Sequence, residues 1–229
     1  MTADPALAVR LAARAMARHG LAHAYGHVSA RLSETHFLVS PAQPLGTIAP
    51  GQGGVEVPLD GDLPPGALPE VRIHREIYRQ RPDVEGICRF QSPAVIALSA
   101  LGQTARVRHG LGSYFAPAPP LWPGVALVRD DDSARAVAAR MGHAAAIVLA
   151  GNGAVTAGAS IEDAASLAFF LEDAARIELA LLPAIAAGLS PREYTPDEVA
   201  ARAVRAGGLF DRMWHYLCHG DPEFDGDRA

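Results

Sequence analysis

The sequence predicts an α/β fold of three layers (αβα), with a central, mostly antiparallel sheet covered on its faces by helices. Three observations carry this expectation. Runs with helical periodicity open on recognisable caps. Between them lie short apolar runs bounded by Gly and Pro clusters, which read as strands. No internal repeat, low-complexity block or linker interrupts the 229 residues, and 49% of them are hydrophobic, enough for a packed core. The expectation is therefore one domain over residues 1–229.

The elements follow in order. Asp4-Pro5 supplies an N-cap and an N1 proline, and Leu7, Leu11 and Ala15 recur at helical spacing until Gly20. Residues 24–32 read as a turn leading into a strand, and HFLVS (36–40) as a short strand. Residues 41–69, with their QGG, DGD and PPG clusters, read as loops and short hairpin strands. Pro69-Glu70 opens a helix to about Arg81, which Pro82 ends. VEGICRF (84–90) is a strand, and Ser92-Pro93 starts the next helix as N-cap and N1.

Residues 103–128 alternate short strands with Pro-rich turns, VALV at 125–128 among the strands. A helix from Ser133 to about Gly142 leads into the apolar run 144–150. A Gly-Asn-Gly turn then returns the chain as AVTAG (154–158). Ser160 heads a long helix to about Ala187. Thr195-Pro196-Asp197-Glu198 heads a C-terminal helix over about 196–218, followed by a short tail at 219–229.

Composition bounds the function. A net charge of −5 and a pI near 6.0 give no basic footprint for nucleic acid. No run of about 18 apolar residues spans a membrane. The start shows no charged region followed by an apolar run, so no signal peptide is expected. Cys88 and Cys218 form no CxxC pair, which suits a reducing cytoplasm. All 20 basic residues are arginine. Without a lysine there is no ε-amine for a Schiff base, a pyridoxal phosphate anchor or a P-loop.

Four segments, AYGHVSARL (24–32), ALPEVRIHREIYRQRPDV (67–84), RFQSPAVIALSALG (89–102) and IVLAGNGAVTAG (147–158), occur in an order and spacing that resemble the class II aldolase/adducin family. The resemblance covers roughly residues 5–187 and is nearest to the decarboxylase-like branch, whose members carry a Gly-His-Val-Ser segment. It implies a divalent metal held by His-x-His ahead of a Ser-Pro and by a third histidine in a Gly-rich turn, with a glutamate on the preceding helix start as acid/base. Here the matching positions hold Arg89, Gln91 and Asn152, while the glutamate stands as Glu70.

That replacement is not neutral chemically. A guanidinium has no lone pair to give and stays protonated below about pH 12. Two amides and one carboxylate beside it make a poor cage for a transition metal. The expectation is therefore no metal and no other cofactor. Arg89, Gln91 and Asn152 would form a clamp for a developing oxyanion, and Glu70 would move the proton. The alternative for Arg89 and Glu70 is a structural ion pair.

Further contacts follow from the resemblance. Tyr25, His27 and Ser29 lie where substrate is met. His74, four residues after Glu70, would orient it or be a buried structural histidine. His109 and Tyr114 fall where relatives place residues near a neighbouring subunit's site. His23 reads as an ordinary surface or core residue, and His215, Tyr216 and His219 as the end of an amphipathic helix. The Gly-Thr-Ser-Gly-Asn and Ser-Ser phosphate cradles of the sugar-phosphate aldolases are replaced by residues 23–27 and Ala67-Leu68-Pro69, so a phosphosugar is not expected.

The expected function is a carbon–carbon lyase acting on a hydroxylated aromatic or carboxylate-bearing small molecule. It would work by retro-aldol release of a small aldehyde, such as formaldehyde, or by decarboxylation. The alternatives are an inactive adducin-like assembly module, or a metal enzyme that takes ligands from His23, His27, His74 or His109. By family analogy a cytoplasmic homotetramer is expected.

Overall fold

The computed structural model describes residues 4–224. The last part of the expected tail, 225–229, lies outside the described residues, as do residues 1–3. Seven strands form one sheet: β1 (His27–Arg31), β2 (His36–Val39), β3 (Val55–Pro58), β4 (Gly86–Phe90), β5 (Leu121–Trp122), β6 (Ala146–Leu149) and β7 (Ala154–Gly158). Their order is β3-β2-β1-β4-β7-β6-β5, and every pairing is antiparallel except β5 with β6.

The described residues form seven α-helices, of which all but α6 enclose the sheet and its cores: α1 (Pro5–Arg18), α2 (Arg72–Gln80), α3 (Pro93–Ala100), α4 (Asp131–Met141), α5 (Ile161–Ala186), α6 (Pro196–Arg202), which packs on the turn at 110–115, and α7 (Leu209–Cys218). One core lies between the sheet and α1, α3, α5 and α7, and collects Leu11, Met16, Val28, Cys88, Phe90, Leu167 and Trp214. The other lies between the opposite face and α2 and α4, and collects Phe37, Ile77, Tyr78, Ile87, Val137 and Val155. Side chains alternate across a strand. On β1 and β4 this sends Val28, Cys88 and Phe90 to the first core, and His27, Ser29, Ile87 and Arg89 toward α2. The three-layer α/β architecture follows from these two cores.

Most element starts have the expected local cause. Asp4 accepts a hydrogen bond from the Ala6 N–H at 2.9 Å, and Ser160 accepts one from Asp163 at 3.1 Å. Four expectations differ, besides the helix expected from Pro69-Glu70, whose first turn is 3₁₀. The helix expected from Ser133 starts at Asp131, because Asp130 caps it by accepting from the Ser133 N–H at 2.8 Å. Ser92 does not cap α3 with its side chain; the Ala94 and Val95 N–H groups donate instead to the Glu172 carboxylate of α5, each at 3.2 Å.

Residues 125–128 form no strand. The edge strand β5 ends at Trp122 because Pro123 has no N–H for the ladder, and Val125 is left 82% exposed. The single helix expected over 196–218 is two. A capping box between Thr195 and Glu198 starts α6, but Gly207 and Gly208 take left-handed φ values of 72° and 61° and break the path before α7. After α7 the chain folds back onto α1: Asp221 accepts from Arg14 and Arg18, and Glu223 from Arg10 and Arg14.

Candidate active site

The site lies where the end of β4, the start of β1 and the β6–β7 turn converge. Glycine makes the convergence tight. A Cβ on Gly26 would sit 2.9 Å from the Arg89 carbonyl oxygen, and one on Gly153 would sit 2.0 Å from that of Phe90. The turn at 150–153 therefore lies flush against the end of β4, with Gly151 and Gly153 both at positive φ. Beside it opens a cavity of about 620 Å³ lined by Tyr25, His27, Gln43, Pro44, Leu68, Glu70, Arg89, Gln91, Leu127 and Arg129, among others.

Arg89 is 6% exposed and opposite His27 in the β1–β4 register. Its Nη1 donates to the Phe90 carbonyl at 3.1 Å, and it makes no ion pair with any described residue. Burial lowers its pKa to about 10, against the weaker opposing pull of the Glu70 charge, so the guanidinium stays charged at neutral pH. A buried, unpaired cation lining a cavity is an acceptor for an anion.

Glu70 does not pair with Arg89, so the structural ion pair between them is not formed. Its Oε1 accepts from Arg129 Nε at 2.8 Å, which leaves Oε2 for the cavity. Arg129 was not legible as a site residue. It arrives there because Arg72 and Arg75 of α2 donate to Asp131 at 2.8 and 2.5 Å, docking the start of α4 beside the start of α2.

Gln91 Nε2 donates to Asn152 Oδ1 at 2.6 Å. Gln91 lines the cavity, whereas Asn152 reaches it only through Gln91. The amide pair thus spends one donor on itself, and the direct cationic group is Arg89.

His74 does not orient Glu70. Pro69–Val71 form a 3₁₀ turn and the α-helix starts only at Arg72, so residues 70 and 74 are not one α-turn apart. Instead His74 is fully buried, with its Nε2 at 2.8 Å from His27 Nδ1 and its Nδ1 at 2.6 Å from Ser29 Oγ. Ser29 is also fully buried and lies 2.9 Å from the Tyr78 hydroxyl, so it does not line the cavity. Burial first, and Arg89 second, lower the His74 pKa to about 3. Burial, then His74 and Arg89, hold His27 well below its ordinary value. Both rings are neutral at physiological pH. Tyr25, 71% exposed, stands at the cavity rim.

The structure does not bring His109 or Tyr114 to this cavity within one protomer. Both His109 ring nitrogens are buried without a hydrogen-bond partner among the described residues. The Tyr114 hydroxyl donates to the Val204 carbonyl at 2.7 Å. His23 is exposed on the surface. Among the described residues, no three His, Cys, Asp or Glu side chains converge as a metal site. The donors at the positions where the resemblance implies a metal do not fit one: a charged guanidinium, and two amides already bonded to each other.

Comparison with known proteins agrees with this architecture. Residues 8–179 match the family described as Class II Aldolase and Adducin N-terminal domain, and the chain belongs to it. A 3,4-dihydroxyphthalate decarboxylase of Terrabacter sp. (strain DBF63) is 29% identical over 211 residues, covering 83% of this chain and 85% of that protein. A protein of the same name from Arthrobacter keyseri is 28% identical over 225 residues, covering 89% and 88%. The L-fuculose 1-phosphate aldolase structure from Glaciozyma antarctica PI12 superposes with a TM-score of 0.76 at 21% identity, covering 93% of this chain and 88% of that one, and so shares the fold. The chain is an enzyme of the aldolase/decarboxylase lyase type, in the decarboxylase-like branch. No helix among the described residues is long and apolar enough to cross a membrane.

Proposed function

We propose that this enzyme decarboxylates a hydroxylated aromatic carboxylate, using Arg89 in place of a transition metal. The observation that carries the reading is the buried guanidinium of Arg89, which has no ion-pair partner among the described residues and lines a cavity of about 620 Å³, room enough for a substituted aromatic ring. The name of its relatives points the same way: 3,4-dihydroxyphthalate is a ring bearing two carboxylates and two hydroxyls.

The chemistry assigns roles by charge. In decarboxylation the leaving carboxylate becomes neutral CO₂, so a cation fixed on that group would hold back the reaction. Arg89 is better used on the ring oxygen that gains charge. Glu70 Oε2 takes the proton from a hydroxyl ortho or para to the departing group. Glu70 then gives that proton, directly or through a water, to the ring carbon bearing the carboxylate, giving a dienone. CO₂ departs, its bonding electrons return to the ring, and the oxygen is left as a phenolate held by Arg89. Reprotonation of the oxygen completes a net exchange of CO₂ for one proton. Arg129 at the rim would hold a second carboxylate, and Leu68, Pro44 and Leu127 supply apolar walls.

A retro-aldol cut would use the same three groups; the relatives' names favour decarboxylation. A homo-oligomer, a tetramer by family analogy, is part of this proposal. It would give the exposed Val125 and Leu127 beside the site a covering, and a light-scattering mass in solution tests it.

The test is CO₂ release from 3,4-dihydroxyphthalate by chelator-treated protein, before and after adding Zn²⁺ or Mn²⁺. Turnover that does not depend on added metal is expected. Activity that appears only with metal would overturn the role of Arg89. No turnover of any hydroxylated benzoate or phthalate would overturn the decarboxylase reading.

A further inference from the structure

We infer that Tyr78, Ser29 and His74 form a hydrogen-bond chain that fixes His27 as a neutral Nε2–H donor in the cavity, aimed at a ring oxygen next to the one Arg89 holds. The substrate role of that donor rests on the function proposed above; the polarity of the chain does not.

The case is one of counting protons. Three contacts join four buried groups: Tyr78 hydroxyl to Ser29 Oγ at 2.9 Å, Ser29 Oγ to His74 Nδ1 at 2.6 Å, and His74 Nε2 to His27 Nδ1 at 2.8 Å. Each contact holds one proton, and each neutral ring carries one N–H. Suppose Tyr78 donates to Ser29. Ser29 then donates to His74 Nδ1, His74 Nε2–H donates to His27 Nδ1, and His27 must carry its proton on Nε2. Every donor inside the chain is satisfied, and the one N–H left over, on His27 Nε2, belongs to a residue that lines the cavity.

Reversal of the chain fails at its far end. His27 would donate to His74, His74 to Ser29, and Ser29 to Tyr78. The Tyr78 hydroxyl, on a side chain 1% exposed, would then have no acceptor among the described residues. A third arrangement, with Ser29 accepting from both neighbours, leaves the serine proton without an acceptor instead. An unmade buried hydrogen bond of this kind costs about 1–3 kcal/mol, so the first polarity dominates.

The surroundings hold the chain in place. Tyr78 packs against Phe37 with ring centroids 5.0 Å apart, and the Arg31 guanidinium lies 4.7 Å over its ring. The His27 and His74 rings lie 4.6 Å apart, centroid to centroid. Burial beside Arg89 disfavours a second proton on either imidazole. His27 also lines the cavity, and its Nε2 has no protein partner among the described residues.

His27 and Arg89 are direct cross-strand neighbours, so a neutral donor stands beside a charged one on the same cavity wall. Two neighbouring donors of unequal charge suit two neighbouring ring oxygens of unequal charge, one becoming a phenolate and the other remaining a hydroxyl. The substrate class this selects is a ring with adjacent oxygens. In this scheme His27 is a binding residue, Ser29 and His74 are positioning residues, and Tyr78 satisfies the remaining acceptor of Ser29. The same polarity occupies His27 Nδ1 and protonates its Nε2, so neither nitrogen is free as a metal ligand.

The experiment reads tautomers directly and needs no turnover. Full-length protein labelled with ¹⁵N-histidine is examined by long-range ¹H–¹⁵N correlation at about pH 7. Single Nε2–H tautomers are expected for both His27 and His74; an Nδ1–H on His27, or a charged ring, overturns the inference. Ser29→Ala removes the donor to His74 Nδ1 and should give mixed tautomers at both rings, an effect a merely space-filling serine would not produce. Tyr78→Phe leaves Ser29 donating to His74 and should keep the single tautomer. Catechol is then titrated into the wild type. A shift of the His27 Nε2–H resonance is expected, and its absence overturns the recognition role even if the tautomer is as assigned. Failure of the decarboxylase reading would appear separately, as no CO₂ release.

Discussion

Lowering the pH should destabilise this protein through the buried imidazoles, by an amount that can be worked out. His74 titrates near 6.5 when exposed and near 3 in the fold. The folded form therefore binds fewer protons than the unfolded chain at any pH between these values, and stability falls as pH falls through that window. Above about pH 6.5 both states are neutral at this site and nothing is lost. Taking the sample from about pH 7 to about pH 5 should cost about 2 kcal/mol from His74 alone, since each pH unit below the unfolded value costs about 1.4 kcal/mol.

His27, His19 and His109 are also lowered by burial and act in the same direction. Asp163 and Asp173 are raised by burial and act in the opposite one. The His74 share is isolated by difference. Urea denaturation of wild type and His74→Gln at the two pH values gives four stabilities, and the variant should lose about 2 kcal/mol less on acidification. The variant's own cost cancels in that double difference. An equal loss in both proteins would mean that His74 is charged in the fold or solvated, and would refute the burial argument.

Four other outcomes follow. Arg89→Met should reduce turnover by roughly a hundred- to thousandfold, as removal of a charge-stabilising donor does, without lowering stability in urea, because it removes an uncompensated buried cation. Glu70→Gln should lose turnover comparably with the fold intact by circular dichroism; unchanged rates in either variant would contradict their roles. Glu172→Ala should cost about 2 kcal/mol or more in chemical denaturation, since it strips the acceptor from two N–H groups at the start of α3. Gln91→Ala should loosen the β6–β7 turn and raise KM more than it lowers kcat, whereas Arg89→Met should act mainly on kcat; steady-state kinetics of the pair distinguishes them.

The layers and the mostly antiparallel sheet were legible because local and long-range signals agree, whereas the strand order was not read from the sequence. The caps at Asp4 and Ser160 start helices, and the Gly-Asn-Gly turn is required by close backbone approach to β4. What was not legible depends on contacts far apart in sequence. Glu172 caps α3 from 78 residues away, and Arg129 meets Glu70 only because α2 and α4 dock through Asp131. His74 was misassigned because a 3₁₀ turn changes its phase relative to Glu70, and no residue pattern at 69–71 distinguishes that turn from the first turn of an α-helix.

In relatives, as the resemblance implies, a metal at this place would do two jobs at once: tie the end of β4 to the β6–β7 turn, and supply positive charge. Under the proposed function the two jobs fall on different residues here. The tie is the Gln91–Asn152 hydrogen bond together with the flush seat of Gly153 against the Phe90 carbonyl. One amide bond contributes only about 1 kcal/mol, so the backbone seat must carry most of the rigidity. The charge is Arg89, held in the middle of the sheet by strand pairing to β1 on one side and β7 on the other. A cation fixed in this way needs no reorganisation when negative charge appears on a bound ring, and that preorganisation is what makes a single guanidinium chemically useful.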